Sequence, residues 1–217
     1  MRIDKGDTVI DLGCGEGSIT IPLSKKVKSI TAVDSSKRML EILDDKCKAE
    51  NIDNIKTMKE NLEDVTLKEV GNKDIVLLSR SINGISPIKD TINNVNSIAN
   101  KYVYITIFGP KNWKFENDFY ESIGKEKNDF VPYDYLFNIL ISMNIYPNIE
   151  NLEIETNRKY KSVQDAMDNG KWQLDTFTKE EKENLYKYLE KNLRKNNEGM
   201  LENPNDKADW ILIWWKK

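Results

Sequence analysis

Asp11, Gly13, Gly15 and Gly17 occupy alternate positions in the run Asp11-Leu12-Gly13-Cys14-Gly15-Glu16-Gly17, and a second acid, Asp34, closes Ala32-Val33-Asp34. Glycines at this spacing let a backbone turn sharply and approach a ligand with no Cβ in the way. Carboxylates on either side of such a turn are pure acceptors, one suited to a cationic group and one to the paired hydroxyls of a ribose. The set fits an adenosine-containing cofactor held at the carboxyl ends of parallel strands. A dinucleotide fits poorly. Ser18 stands where the GxGxxG fingerprint needs its last glycine, and Asp11 would repel a pyrophosphate.

The flanking elements must position these groups. Thr8–Leu12 reads as a short buried strand closed by glycine, Gly17–Lys25 as a helix opening at the turn, and Ser29–Val33 as a second strand. Ser35 or Ser36 caps a helix whose apolar side carries Met39, Leu40, Ile42 and Leu43. Strands follow at Ile55–Met58, Asp74–Leu78 and Tyr102–Phe108, with a helix from Pro87 to about Ala99 before the last of these. Strict strand–helix alternation implies a parallel sheet covered on both faces. The rhythm then changes: helix at Pro132–Met143, strand at Ile149–Glu155, helix at Ser162–Asn169, and a capping box at Thr178-Lys179-Glu180-Glu181 opening a helix to about Leu193. Asn196–Lys207 reads as a polar surface loop, and the apolar run Asp209–Trp215 as a strand buried on both faces.

The 217 residues suit one domain, 1–217, with a sizeable core. Charged residues make up 32%, apolar ones 39%, and the net charge is −3 with lysines and acids interleaved. No basic stripe of the kind that binds nucleic acid is present. No apolar run reaches the ~20 residues that span a bilayer, and the N-terminal stretch lacks a signal-peptide core. Two cysteines make no disulfide framework, so a cytoplasmic location is expected. Histidine is absent, which excludes Ser-His-Asp and Cys-His catalysis and any imidazole metal site; no metal is expected.

In four stretches the chain resembles the class I S-adenosylmethionine (SAM)-dependent methyltransferases: Val9–Gly17, Ala32–Ser35, Asn61-Leu62-Glu63-Asp64 and Asp74–Ser79, together spanning about residues 6–108. The resemblance implies a three-layer α/β sandwich around a seven-stranded, mostly parallel sheet, its last strand antiparallel and inserted between strands five and six. It also implies a cofactor-binding half, 1–108, and an acceptor-side, sheet-completing half, 109–217. SAM is the implied cofactor, met by Asp11, Gly13, Cys14, Gly15, Gly17, Asp34, Ser35, Met39, Asn61, Leu62 and Ser79. Asp11 would meet the methionine ammonium, the helix opening near Gly17 its carboxylate, and Asp34 the ribose. Asn61 stands where the family usually has an Asp near the adenine amino group; its amide oxygen can still accept. Met39 lies beside the adenine side or in ordinary core.

Family members that methylate base amino groups carry an Asn/Asp-Pro-Pro-Tyr/Phe segment after the fourth strand; this chain has Ser79-Arg80-Ser81-Ile82-Asn83-Gly84. That argues against nucleic acid and for a small-molecule acceptor. A protein substrate, or SAM binding without transfer, remains as the alternative. Arg80 could grip an anionic acceptor or pair with a local acid. The segment 108–146 is rich in aromatics (Trp113, Phe115, Phe119, Tyr120, Phe130, Tyr133, Tyr135, Phe137) that would line an acceptor pocket or fill core. Catalytic candidates are Arg80, Tyr133 and Tyr135. Seven residues precede the first strand, where relatives usually carry covering helices; a sequence that starts late, a partner's cover or an unusually open pocket would each account for this, and weakened SAM binding is expected.

Overall fold

The computed structural model describes residues 1–83, 85–126, 133–153, 158–170, 172–204 and 209–217. The first stretch alternates as expected: β1 (Thr8–Leu12), α1 (Thr20–Ser24), β2 (Ser29–Asp34), α2 (Lys37–Ala49), β3 (Ile55–Lys59), α3 (Leu67–Val70), β4 (Lys73–Ser79), α4 (Ile88–Ile98) and β5 (Ala99–Phe108). Then come α5 (Lys114–Ser122), α6 (Tyr133–Ser142), β6 (Asn148–Glu153), α7 (Val163–Asn169), α8 (Lys179–Asn192), β7 (Arg194–Lys195), β8 (Leu201–Glu202) and β9 (Asp209–Lys216).

Seven strands form one sheet in the order β3-β2-β1-β4-β5-β9-β6. β1 runs parallel to both β2 and β4, Val9 lying between Ile30 and Ile75. β9 runs against β5: Gly109 N–H donates to Asp209 O near one end of the pair, and Lys217 N–H to Lys101 O near the other. This is the expected three-layer α/β arrangement with an inserted antiparallel strand. The central strands lie between helical layers, so they are apolar on both sides; Ile10, Ala32, Ile75, Val76, Leu78 and Ile213 are fully buried.

The chain divides into two compact units, Met1–Ile107 with Phe130–Glu150 and Ile211–Lys217, and Phe108–Asp129 with Asn151–Trp210. The first holds a core of β1, β4, β5, α4, α6 and β9 side chains, among them Leu12, Leu78, Ile92, Val95, Ile105, Leu136 and Leu140. The second has its own aromatic core of Phe115, Phe119, Tyr120, Tyr160 and Phe177, closed by Leu185 and Leu189 of α8. Phe119 meets Trp172 edge-on at 5.6 Å and Tyr188 at 5.3 Å, separations typical of favourable ring pairs. The capping box at Thr178 is present, its hydroxyl accepting from Glu181 N–H while the Glu181 side chain accepts from Thr178 N–H.

Several expectations are corrected. The helix after the glycine turn begins at Thr20, not Gly17, and is five residues long. Residues 13–17 are held by turn bonds instead, including Gly17 N–H to Cys14 O. Met39 is 38% exposed, because the buried face of α2 is Leu40, Leu43 and Cys47, so it is not a core residue. Of the two readings for the aromatics, Phe119 and Tyr120 take the core one, while Phe115 belongs to that core and also borders a cavity at the start of α5. Residues 196–207 are not all loop, since Leu201–Glu202 pairs antiparallel with Arg194–Lys195. Phe130, Gly84, Pro132, the expected strand's residues 154–155 and residues 205–207 lie outside the described residues.

At the amino ends of β1 and β4, Thr8 donates its backbone N–H and its hydroxyl to Asp74 Oδ2, both at 2.9 Å, and Lys101 bridges Asp7 and Asp74. The Thr8 N–H, more than the Lys101 charge, holds the Asp74 carboxyl below its ordinary value of 3.8. A depressed carboxylate stabilises the fold above that value and loses its contribution as pH falls through the folded value. Asp74→Asn is therefore expected to lower the urea midpoint at neutral pH and to flatten its decline below about pH 4; an unchanged acid limb would contradict this.

Candidate active site

Asp34 ends β2 and organises the glycine turn. Its Oδ2 accepts from Gly15 N–H and its Oδ1 from Ser36 N–H, each at 2.8 Å, so one carboxylate joins the turn to the start of α2. A carboxylate has about four acceptor positions, so two remain. Gly13 and Cys14 N–H groups both donate to Val33 O, at 2.8 and 2.9 Å, which lays the turn across the end of β2.

Two of the glycines are dictated by close approach. Gly13 has φ +80°, and a Cβ there would meet the Ser81 Cβ at 2.3 Å. Ser81 is held there by donating to Leu12 O at 2.6 Å. Gly17 has φ +87°, and its Cβ would meet Leu43 Cδ1 at 2.4 Å. Gly15 faces open space instead, with nothing within 4 Å of a Cβ position.

Asp11 lies beneath the turn, 2% exposed. Its Oδ2 accepts from the Thr20 hydroxyl at 2.6 Å, and its Oδ1 has no partner among the described residues. Burial pushes its carboxyl up to about 6 from 3.8; the Thr20 bond opposes this and the Asp34 charge adds to it. Burial and the Asp11 and Asp34 charges also push the Cys14 thiol well above its usual range, so Cys14 is no nucleophile.

Beyond β4 the backbone turns at Arg80, which takes the left-handed conformation at φ +59°. Arg80 N–H donates to the carbonyl and hydroxyl oxygens of Thr106, and Ser79 Oγ lies 3.0 Å from the same hydroxyl. Asn61 donates its Nδ2 to Asp64 at 2.9 Å, which turns the amide oxygen the other way.

A groove of about 410 Å³ is bordered by Gly13, Asp34, Ser35, Asn61, Leu62 and Arg80. Glu60, Glu63, Ser81, Asn83 and Ile85 also border it, and sequence reasoning singled out none of these for the site. The position of Glu60 and Glu63 on either side of the expected Asn61-Leu62 pair was the available signal. Asp11, Cys14, Gly15, Gly17, Met39 and Ser79 do not border the groove. Tyr133 packs against the core of the first unit, and Tyr135 borders a different cavity beside α4. Three acids against one arginine make the groove electronegative, which favours a ligand of positive charge over a phosphate-bearing one.

Residues 9–100 match the family model described as a methyltransferase domain. The glycine turn and strands β2, β3 and β4 lie within that match. That matched domain, set in the seven-stranded sheet, is of the class I SAM-dependent methyltransferase type. The family's methyl donor, SAM, is its cofactor, and the chain is a methyltransferase. It is 28% identical over 216 residues to an uncharacterised protein of Haemophilus influenzae, covering 99% of this chain and 78% of that protein. It is 30% identical over 103 residues to the "Probable cobalt-precorrin-6B C(15)-methyltransferase (decarboxylating)" of Methanocaldococcus jannaschii, covering 48% of this chain and 56% of that protein. Among solved structures, the fold resembles the precorrin-6y C5,15-methyltransferase of Geobacter metallireducens, with TM-score 0.57, 14% identity and coverage of 100% of this chain and 83% of that one. It also resembles the magnesium protoporphyrin IX methyltransferase of Synechocystis, with TM-score 0.55, 20% identity and coverage of 70% and 68%. Among the described residues no helix is long and apolar enough to cross a membrane, and no metal-binding cluster occurs.

The contact between Gly13 and Ser81 gives a test. Gly13→Ala combines a left-handed backbone with a steric clash and is expected to destabilise the methyltransferase by about 2–4 kcal/mol. Adding Ser81→Gly should recover the steric part and leave about 1–2 kcal/mol of backbone strain. Denaturant melts of both variants check this; no recovery in the double variant would show that the contact is unimportant.

Proposed function

We propose that this methyltransferase acts on a small organic molecule, with SAM held in the groove beside Gly13. The observation that carries the reading is the charge of that groove, where Asp34, Glu60 and Glu63 face Arg80. SAM has a sulfonium and an ammonium against one carboxylate, so an electronegative groove suits it.

Each residue then has a role. The two unused acceptor positions of Asp34 take the ribose hydroxyls, while its other two keep the turn in place. Asn61 presents its amide oxygen to the adenine amino group because Asp64 occupies its Nδ2. Leu62, next in the chain, offers its N–H to a ring nitrogen. The open face of Gly15 lets backbone approach the methionine part. Asp11 uses its unpartnered Oδ1 toward the ammonium through a water. Ser35 borders the ribose end. Cys14, Gly17, Met39 and Ser79 are left as supports of loop and helix geometry.

When bound, SAM supplies a methyl group activated by its sulfonium. The protein need only hold the acceptor in line and exclude water, which accounts for a site without histidine. Arg80 borders the same groove and adds a positive charge to its wall. The names of the relatives that act on precorrins and a porphyrin agree with an acceptor of this class. Incubation with methyl-labelled SAM and a cell extract should place label in the acid-soluble small-molecule fraction. Label in protein would overturn the acceptor class.

Two variants test the cofactor site. Asp34→Asn keeps the size of the side chain but loses the charge, and is expected to weaken SAM binding by about 1.5–3 kcal/mol in calorimetric titration. Asp11 favours its neutral form in the folded chain, so its contribution to stability is present below 3.8 and lost as pH rises through about 6. Asp11→Asn should therefore stabilise the ligand-free protein above pH 6 while weakening SAM binding. In the unaltered protein, SAM affinity should fall about three- to tenfold from pH 7.5 to 5.5 as Asp11 protonates, and the variant should lose that dependence. A flat profile in the unaltered protein would remove Asp11 from the ammonium.

A further inference from the structure

We propose that the second unit carries a separate binding site for a small organic polyanion. The site is a cavity of about 450 Å³ formed where the start of α5 meets the end of α8. Its charged lining is Lys111, Lys114 and Arg194 against Asp118 alone. Lys114 is matched, its Nζ lying 2.8 and 3.1 Å from the two Asp118 oxygens. Lys111 and Arg194 are not: among the described residues neither makes an ion pair. The cavity lining therefore carries three positive charges against one carboxylate, with Asp209, whose Oδ2 accepts from Lys111 N–H at 2.9 Å, and Glu202, opposite Arg194 across β7 and β8, standing nearby.

The arrangement is more than a solvated basic face. Arg194 Nη1 donates to Lys191 O at 2.6 Å and Leu193 O at 2.8 Å, which pins the guanidinium against the end of α8. Two donors on Nη2 and one on Nε remain, and they can grip a carboxylate or phosphate through paired hydrogen bonds. The wall beside it is rigid. Phe115 and Tyr188 stack with centroids 5.2 Å apart, and the Tyr188 hydroxyl donates to Phe115 O at 2.8 Å. Lys114 and Phe115 open α5, which has no side-chain cap at Trp113, so the positive end of this nine-residue helix adds to the same field. Cations gathered in one hollow repel one another, and an anion of charge two or three relieves that. The volume suits a molecule of a few carbon atoms carrying two or three carboxylates, or a phosphorylated one.

The shared chemistry is a compact multiple negative charge, and the test separates its two sources. Citrate and pyrophosphate are titrated into the full chain by calorimetry, at an ionic strength held constant with sodium chloride. One-site binding of either anion is expected, at least about tenfold tighter than to the Lys111→Glu/Arg194→Glu variant. Preference for citrate assigns polycarboxylates, and preference for pyrophosphate assigns phosphates. Both altered residues are exposed, and circular dichroism confirms that the variant is folded; Lys111→Gln/Arg194→Gln, with no charge reversal, should show an intermediate loss. Failure of both anions to bind at about 5 mM, or binding equal in the charge-reversed variant, overturns the site.

Discussion

One carboxylate sets the geometry on which the glycine turn and the start of α2 depend. Asp34 accepts from the backbone at Gly15 and at Ser36, fastening the glycine turn and the first turn of α2 to the end of β2. Both bonds are charge-assisted and so stronger than neutral ones. Without them the turn between β1 and α1 would rest mainly on the bonds from Gly13 and Cys14 to Val33. The same carboxylate raises the proton affinity of Asp11 beneath it. A single acid thus shapes the loop, aligns the helix and sets the local field, and in our reading keeps two acceptor positions for the ligand.

Asp11 carries the opposite cost. A carboxyl buried with one oxygen unpartnered disfavours the folded state at neutral pH. Such groups persist where binding needs them, a common trade between stability and activity. The electronegative groove is consistent with that trade: Glu60, Glu63 and Asp34 repel one another until a cation arrives.

Much of the fold was legible because its signals are local. β1 lies where apolar residues and a following glycine put it, at Thr8–Leu12, and the capping box at Thr178 opens α8 as read. The apolar run at 209–215 marked an interior strand because only a strand covered on both faces can be so uniformly apolar. What stayed hidden depends on tertiary partners. Met39 looks like core from spacing alone, but α2 is rotated so that Leu40, Leu43 and Cys47 face inward. The helix at Gly17 was expected because glycine turns commonly open helices; here turn bonds hold the chain until Thr20. Phe119 and Tyr120 could have lined a pocket, and only the second unit's own core, with Phe177 and Leu185, shows where they go. Of the residues bordering the groove, Gly13 and Asp34 were readable from spacing. The contribution of Ser81 was not, because it reaches Gly13 from a loop 68 residues away along the chain.

The placement of β9 between β5 and β6 has a consequence for how the chain reaches its native state. β6 is complete by residue 153, yet the strand that joins it to the sheet starts at residue 209. During synthesis, five parallel strands can assemble while the outer edge of β5 stays open and β6 waits without its native neighbour. Such an arrangement raises contact order and slows the final closure. It also leaves an apolar strand edge able to pair with another chain until residues 211–216 arrive. Nascent chains stalled between these points would be the form most in need of chaperones.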